Sequence, residues 1–304
     1  MNSIERLRQD FDSQKSELAT IHNEKLFEDC IFVGSGDSFV AGLITEYMTD
    51  HRCICSSPSD LFNSKFGDNK TYCFVSVSGR TRSNIDVACR ATMSGADTIA
   101  VTMNPRSELA LVCKNIVPLL ISRSNTPTAW FSTFVANVVT CLQLAGVKVP
   151  QKFNTWHNNG IKLARKVLES MTVPNQPVFI LGNNILYALA LYGSLQIAEF
   201  FGSTAIAHKL EEFCHSPIFG IRKAQYIWML GHNEEKISKR ISKLGLDMSY
   251  FELYNKDIFT QLFESIFFLQ SLMLLLAEKY GYTELQYVMM KDILAASSDL
   301  IYRH

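Results

Sequence analysis

The stretch "TYCFVSVSGRTRSNIDVACRATMSGA", residues 71–96, decides how this chain folds. Its apolar start carries no helical spacing and predicts a buried strand over residues 72–77. A turn follows in which Ser76, Ser78, Thr81 and Ser83 crowd around Gly79. Apolar residues then recur at helical spacing, which predicts an amphipathic helix from about Ser83. In parallel α/β sheets, ligands sit beyond the carboxyl ends of strands and over helix N-termini. Unpaired N–H groups and the helix dipole favour an anion there, and hydroxyls add donors, so the turn reads as a phosphate cradle. Ser and Thr are also good structural caps, which alone explains one such loop. A second loop, "GSGDS" at 34–38 with Gly36 and Ser38, ends another apolar run and favours the anion site.

The same plan extends outward. "CIFVGSGDSFVAGLITEYM" (30–48) and "DTIAVTMNPRSELALVC" (97–113) are each strand, turn and helix, and "NIVPLLI" (115–121) is a further strand. The polar stretch "QKFNTWHNNG" (151–160) reads as a linker. Beyond it, "VPNQPVFILGNNILYALALYGSLQIAEFFG" (173–202) restarts the plan, and "AQYIWMLG" (224–231) and "MSYFELY" (248–254) read as strands. Short apolar runs alternating with helices imply parallel strands joined by helical crossovers. The predicted fold is α/β, with two doubly wound, flavodoxin-like parallel-sheet domains in tandem. The expected domains are 1–150, with an N-terminal helix, and 151–304, with a C-terminal tail.

With 304 residues, 47% hydrophobic and 19% charged, the chain can bury a sizeable core and is not of disordered composition. Lys plus Arg and Asp plus Glu both number 29, so the formal charge is zero, which argues against a nucleic-acid partner. The eight cysteines form no CxxC pair, and they read as reduced thiols of a cytoplasmic protein. The opening "MNSIERLRQDFDSQK" is too polar for a signal peptide. The most apolar stretch, Ser265–Lys279, is interrupted by Gln270 and reads as a buried helix, so no membrane partner is expected. Neither GxxxxGK[ST] nor a clean GxGxxG is present, which disfavours nucleotide and dinucleotide binding and an oxidoreductase.

The segments "FVGSGDSFVAG" (32–42) and "VSVSGRTRSNIDVACRATMSGADTIAVT" (75–102) resemble the sugar isomerase (SIS) family. As a tandem of two such domains, the chain is most similar to the isomerase half of glucosamine-6-phosphate synthases and their stand-alone relatives. The resemblance implies that Ser76, Ser78 and Thr81 hold a sugar phosphate, that Gly79 permits the turn, and that Gly36 and Ser38 complete the site. Arg80 stands where many relatives have Glu and is read as facing solvent. "YGSLQIAEFFGSTAIAHKLEEFCHSPIF" (192–219) resembles the family's GALKLKE and ELKHGP elements, which places Glu199 and His215, sixteen residues apart, at its catalytic Glu and His. The segment ending "MMKD" (289–292) resembles the family tail and places Lys291 at its reactive lysine. Two departures bear on the substrate: Ser216–Pro217 replaces the family's GP, and "RSNTPTAWFST" (123–133), with Thr126 and Thr128, only faintly resembles its VASTK element.

Aldose–ketose interconversion requires one base that moves a proton between C1 and C2, and a group that opens the sugar ring. A carboxylate on an apolar helix suits the first task and a histidine the second. The resemblance implies Glu199 as base, His215 as ring opener, and Lys291 against the enediolate oxygen. It also implies a homodimer in which His215 reaches the neighbouring subunit's site, with no metal or organic cofactor. The expected function is a phosphosugar isomerase acting on a hexose 6-phosphate through an enediol. An amino-sugar-6-phosphate deaminase or deglycase and a non-catalytic phosphosugar sensor are the alternatives, and His208 is a reserve for His215.

Overall fold

The computed structural model describes residues 1–21, 27, 29–67, 70–119, 121, 131–173, 176–222, 225–231 and 235–302. The first half runs α1 (Ser3–Leu18), β1 (Ile31–Val33), α2 (Asp37–Met48), β2 (Ile54–Ser56), β3 (Thr71–Val75), α3 (Arg82–Met93), β4 (Asp97–Thr102), α4 (Glu108–Val112), β5 (Asn115–Pro118) and α5 (Phe131–Leu144). The second half runs α6 (Phe153–Leu168), β6 (Val178–Leu181), α7 (Ile185–Phe201), β7 (Ala205–His208), α8 (Leu210–His215), β8 (Tyr226–Gly231), α9 (Glu235–Ser242), β9 (Asp247–Glu252), α10 (Ile258–Lys279), α11 (Gln286–Met289) and α12 (Lys291–Ile301). The chain forms two compact units, one of Asp12–Gln151 with Asp292–His304 and one of Met1–Phe11 with Lys152–Lys291.

In the first of these units the strands form a parallel sheet in the order β2-β1-β3-β4-β5. Tyr72 to Val75 of β3 are all buried, so the strand reads as a continuous apolar run with helices on both faces. Its crossover helix α3 buries Asn84, Ile85, Val87, Ala88 and Ala91, which gives it one apolar stripe. Ile85, Val87, Ala88 and Ala91 pack with Ile31, Tyr72, Phe74, Ala100 and Leu109 into one core cluster. Each large aliphatic side chain buried there contributes roughly 1.5–3 kcal/mol. The strand order reverses between β1 and β3, whose register pairs Val33 with Phe74. The loops after these two strands therefore leave the sheet side by side.

The second unit repeats the design with the parallel sheet β7-β6-β8-β9. The two parallel-sheet α/β units predicted from the sequence are thus present. The apolar stretch around Gln270 lies in α10, most of which is buried. By length and composition α10 can also cross a membrane, but its apolar side chains here form the unit's core. Gln270 is satisfied within that core, where its Nε2 donates to the Tyr192 hydroxyl at 3.0 Å.

The polar stretch 151–160 is not a linker. Phe153, Trp156, His157, Gly160 and Ala164 fall on one buried face of α6, and the asparagines that give the stretch its polarity lie between them. Trp156 stacks on Phe263 of α10 with ring centroids 4.8 Å apart, and its Nε1 donates to Thr260 Oγ1 at 3.1 Å. Gly160 lets the two helices close up: a Cβ there would lie 2.7 Å from the backbone nitrogen of Phe268.

Candidate functional site

The loop after β3 is held from behind by the loop after β4. Gly79 N donates to Ser76 O at 3.0 Å, and Leu109 N donates to Gly79 O at 3.2 Å. Thr102 Oγ1 and Met103 N both donate to Val77 O, at 3.1 and 3.0 Å. Gly79 is buried at φ +64, and a Cβ on it would lie 2.1 Å from Ser107 Oγ. Only glycine meets both conditions, a left-handed backbone and no room for a side chain.

This fixed backbone sets the hydroxyls. Ser76 Oγ lies 3.1 Å from Thr81 Oγ1, so the first and last hydroxyls of the turn meet. Ser76 is buried, Thr81 half-buried and Ser78 exposed, with Ser78 Oγ accepting from Arg80 N at 3.3 Å. Arg80 is exposed, as the sequence suggests. Thr81 forms the N-cap of α3 with an extended backbone, and no side chain caps the helix. The hydroxyls of this loop thus leave the first N–H groups of α3 uncapped, in keeping with an anion cradle.

The neighbouring loop supplies Gly36 and Ser38. Gly36 is the N-cap of α2 at φ +56, again without a side-chain capping bond, and Ser38 in the first turn is buried. Asp37 stands between them. Burial raises its carboxyl to about 7, well above the usual carboxylate range. Its Oδ1 is shut off from solvent and has no hydrogen-bond partner among the described residues. Sequence reasoning passed over Asp37. The signal is a carboxylate set inside a Gly/Ser turn and followed at once by the apolar run of α2.

The C-terminal tail was also missed as part of this region. Tyr302 forms an antiparallel bridge with Thr81, and Arg82 Nη2 donates to the carbonyls of Asp299 and Tyr302, both at 3.3 Å. The backbone of Tyr302 is therefore paired with that of Thr81 at the end of the loop.

The predicted catalytic residues belong to the other unit. Glu199 is half-buried near the end of α7, and its Oε2 accepts from Gln196 Nε2 at 3.3 Å. It lies about 21 Å along the helix from Ile185, at the end remote from the β6–α7 turn. Helix α11 packs against that end, with the Gln286 side chain under Gly202. Lys291 follows α11 closely and is exposed at the start of α12. His215 closes α8 immediately before Ser216–Pro217; its side chain is 73% exposed, with Glu211 Oε1 4.0 Å away. His208 ends β7, with its ring 6.1 Å from those of both Phe179 and Phe213. Thr126 and Thr128 lie outside the described residues.

All eight cysteines are free, and burial holds the Cys141 thiol well above its usual range. Among the described residues no cluster of three His, Cys, Asp or Glu is placed to hold a metal.

Three solved structures share this arrangement over nearly their whole length. A glucosamine-6-phosphate deaminase from Thermotoga maritima aligns with TM-score 0.73 and 18% identity, covering 91% of this chain and 96% of its own. The C-terminal domain of glucosamine-fructose-6-phosphate aminotransferase from Francisella tularensis aligns with TM-score 0.66 and 15% identity, over 90% and 96%. A tagatose-6-phosphate ketose/aldose isomerase from Escherichia coli aligns with TM-score 0.64 and 15% identity, over 92% and 89%. The likeness is one of fold. No protein-family model and no curated protein sequence matches the chain.

Proposed function

We propose that this protein is a phosphosugar isomerase that interconverts an aldose and a ketose hexose 6-phosphate through an enediol, without a metal or organic cofactor. The observation that carries the proposal is the pair of loops at the β1/β3 strand reversal, with Ser76 and Thr81 hydroxyls 3.1 Å apart and uncapped helix N-termini behind them. The similarity in fold to an isomerase and to an aminotransferase domain of hexose 6-phosphates supports it.

In this proposal Ser38, Ser76, Ser78 and Thr81, with the backbone at Gly36 and Gly79, hold the phosphate, and Thr128 adds a further sugar contact. Glu199 takes the proton from one carbon and returns it to the next on the same face. His215 opens the ring, and Lys291 stabilises the enediolate oxygen. His215 acts in the site of the partner subunit of a homodimer, which its exposure leaves it free to do. The proposed boundary of the expected domains 1–150 and 151–304 stays near residue 151, while the segment up to Phe11 and the tail from Asp292 each cluster with the other unit; the proposed setting is the cytoplasm.

A second reading, an amino-sugar-6-phosphate deaminase, shares the enediol chemistry and releases ammonia. The fold similarity to the Thermotoga deaminase favours it.

Proton NMR in deuterated water tests these readings. Glucose, mannose, fructose and glucosamine 6-phosphates are each followed for exchange at C1 and C2 and for ammonia release. Exchange that vanishes in Glu199→Gln is the expected result, and the product separates isomerase from deaminase. Saturable binding of all four without exchange would leave a non-catalytic phosphosugar receptor.

A further inference from the structure

Arg82 is the first residue of α3, directly after Thr81. Its guanidinium is engaged by the tail: Nη2 donates to the carbonyl oxygens of Asp299 and Tyr302, both at 3.3 Å. These carbonyls lie at the end of α12, so Arg82 caps one helix while standing at the start of another. Tyr302 is in addition bridged to Thr81. Loop and tail belong to one compact unit.

Side-chain packing does not anchor the tail. Helix α12 buries none of its side chains, and Ile293 and Leu300 are 60% and 79% exposed. Its 11 residues are too few for a helix that is stable without packing. Both bonds from Arg82 are long for N–H···O and go to neutral acceptors. A phosphate is the stronger acceptor for a guanidinium, because both partners are then charged. The uncapped N-terminus of α3 attracts the same anion. An anion in the cradle and the tail backbone at Thr81 therefore draw on one cation and one helix end.

We infer that the tail over residues 292–302 is an autoinhibitory strap latched by Arg82, which releases the tail when a sugar phosphate binds and then serves as a further phosphate-binding residue. This inference rests on the phosphosugar reading above and adds the regulation of that site. A ligand that binds only the unlatched form shifts the population toward it, and its apparent affinity is reduced by the fraction of molecules that are unlatched.

The test is calorimetric titration of the full chain with glucose 6-phosphate and with fructose 6-phosphate, in the wild type, in Tyr302→Pro and in Tyr302→Pro combined with Arg82→Gln. Proline at 302 removes the N–H that donates to Ser298 O and ends α12 early. The core is untouched, since α12 buries no side chain. Tyr302→Pro is expected to bind about tenfold tighter than wild type, and adding Arg82→Gln to weaken binding about tenfold. Amide hydrogen exchange over 292–302 is expected to accelerate when the wild type is saturated. Unchanged affinity in Tyr302→Pro would overturn the strap and leave the phosphosugar reading standing. So would weaker affinity with slowed exchange, the result of a lid that closes on its ligand. Binding that is unchanged on adding Arg82→Gln would overturn the role of Arg82. No binding of either sugar phosphate to wild type or Tyr302→Pro would overturn both readings.

Discussion

Ser76 and Thr81 stand at the two ends of one turn with their hydroxyl oxygens 3.1 Å apart. Four residues of chain lie between them, and the turn closes because Gly79 N donates to Ser76 O. The pair is preorganised by backbone hydrogen bonds that reach it from the loop after β4, so a ligand meets donors already in place.

Gly79 is the residue on which the pair depends. Gly79→Ala combines a left-handed backbone with a Cβ 2.1 Å from Ser107 Oγ, and the expected loss of stability is about 3 kcal/mol. Gly36→Ala has the same sign of φ but open space around the new Cβ, and the expected loss is about 1 kcal/mol. Urea unfolding of the two variants measures the difference. Equal losses would show that Ser107 moves aside.

Gly160→Ala sets two effects against each other in α6. Helix propensity favours alanine by about 1 kcal/mol. The new Cβ would meet Phe267 and the backbone of Phe268 at 2.7 Å, and overpacking of this kind costs about 1–3 kcal/mol. Backbone cannot rotate out of the way, so overpacking wins and the urea midpoint falls with the slope unchanged. A higher midpoint would mean that α6 and α10 separate freely.

Asp37 makes stability depend on pH in a fixed direction. Burial raises its carboxyl to about 7 in the folded state. Between about pH 4 and 7 the native state therefore holds a proton that the unfolded chain has released, and this contribution to stability is lost as pH rises. Asp37→Asn removes the dependence. Relative to wild type the variant gains stability from pH 5 to pH 8, by about 1 kcal/mol or more at pH 8. Parallel pH profiles of the two unfolding free energies would contradict the raised value.

The exposure of His215 leads to a test of shared sites. If His215 of one subunit serves Glu199 of the other, Glu199→Gln and His215→Ala are each inactive alone. Mixing and reassembly of the two restores one intact site in each mixed dimer, or about a quarter of wild-type activity. Mixtures that stay inactive would place both residues in one subunit's site.

Much of this fold was legible because its strands are short continuous apolar runs and its turns are marked by glycine and hydroxyl residues. The 71–96 segment became β3, loop and α3 within a residue or two of the predicted bounds. The α6 stretch was misread because its polar residues dominate the composition while Phe153, Trp156 and His157 carry the burial at helical spacing. The tail contact was illegible for a different reason. Tyr302 meets Thr81 through backbone, 221 residues away in sequence, and no side-chain pattern records such a bridge. Asp37 was visible as a residue, but the enclosure of its Oδ1 is a property of the assembled fold.

The most direct measurement is the affinity of a hexose 6-phosphate for wild type, Ser76→Ala, Thr81→Ala and the double variant, by calorimetry on proteins shown to be folded. Each single substitution is expected to weaken binding about tenfold or more, because a hydrogen bond to a charged group is lost. The double variant is expected to lose less than the sum, because the two hydroxyls are in contact. Unchanged affinity in folded variants would contradict the account, since the sugar phosphate would then bind elsewhere.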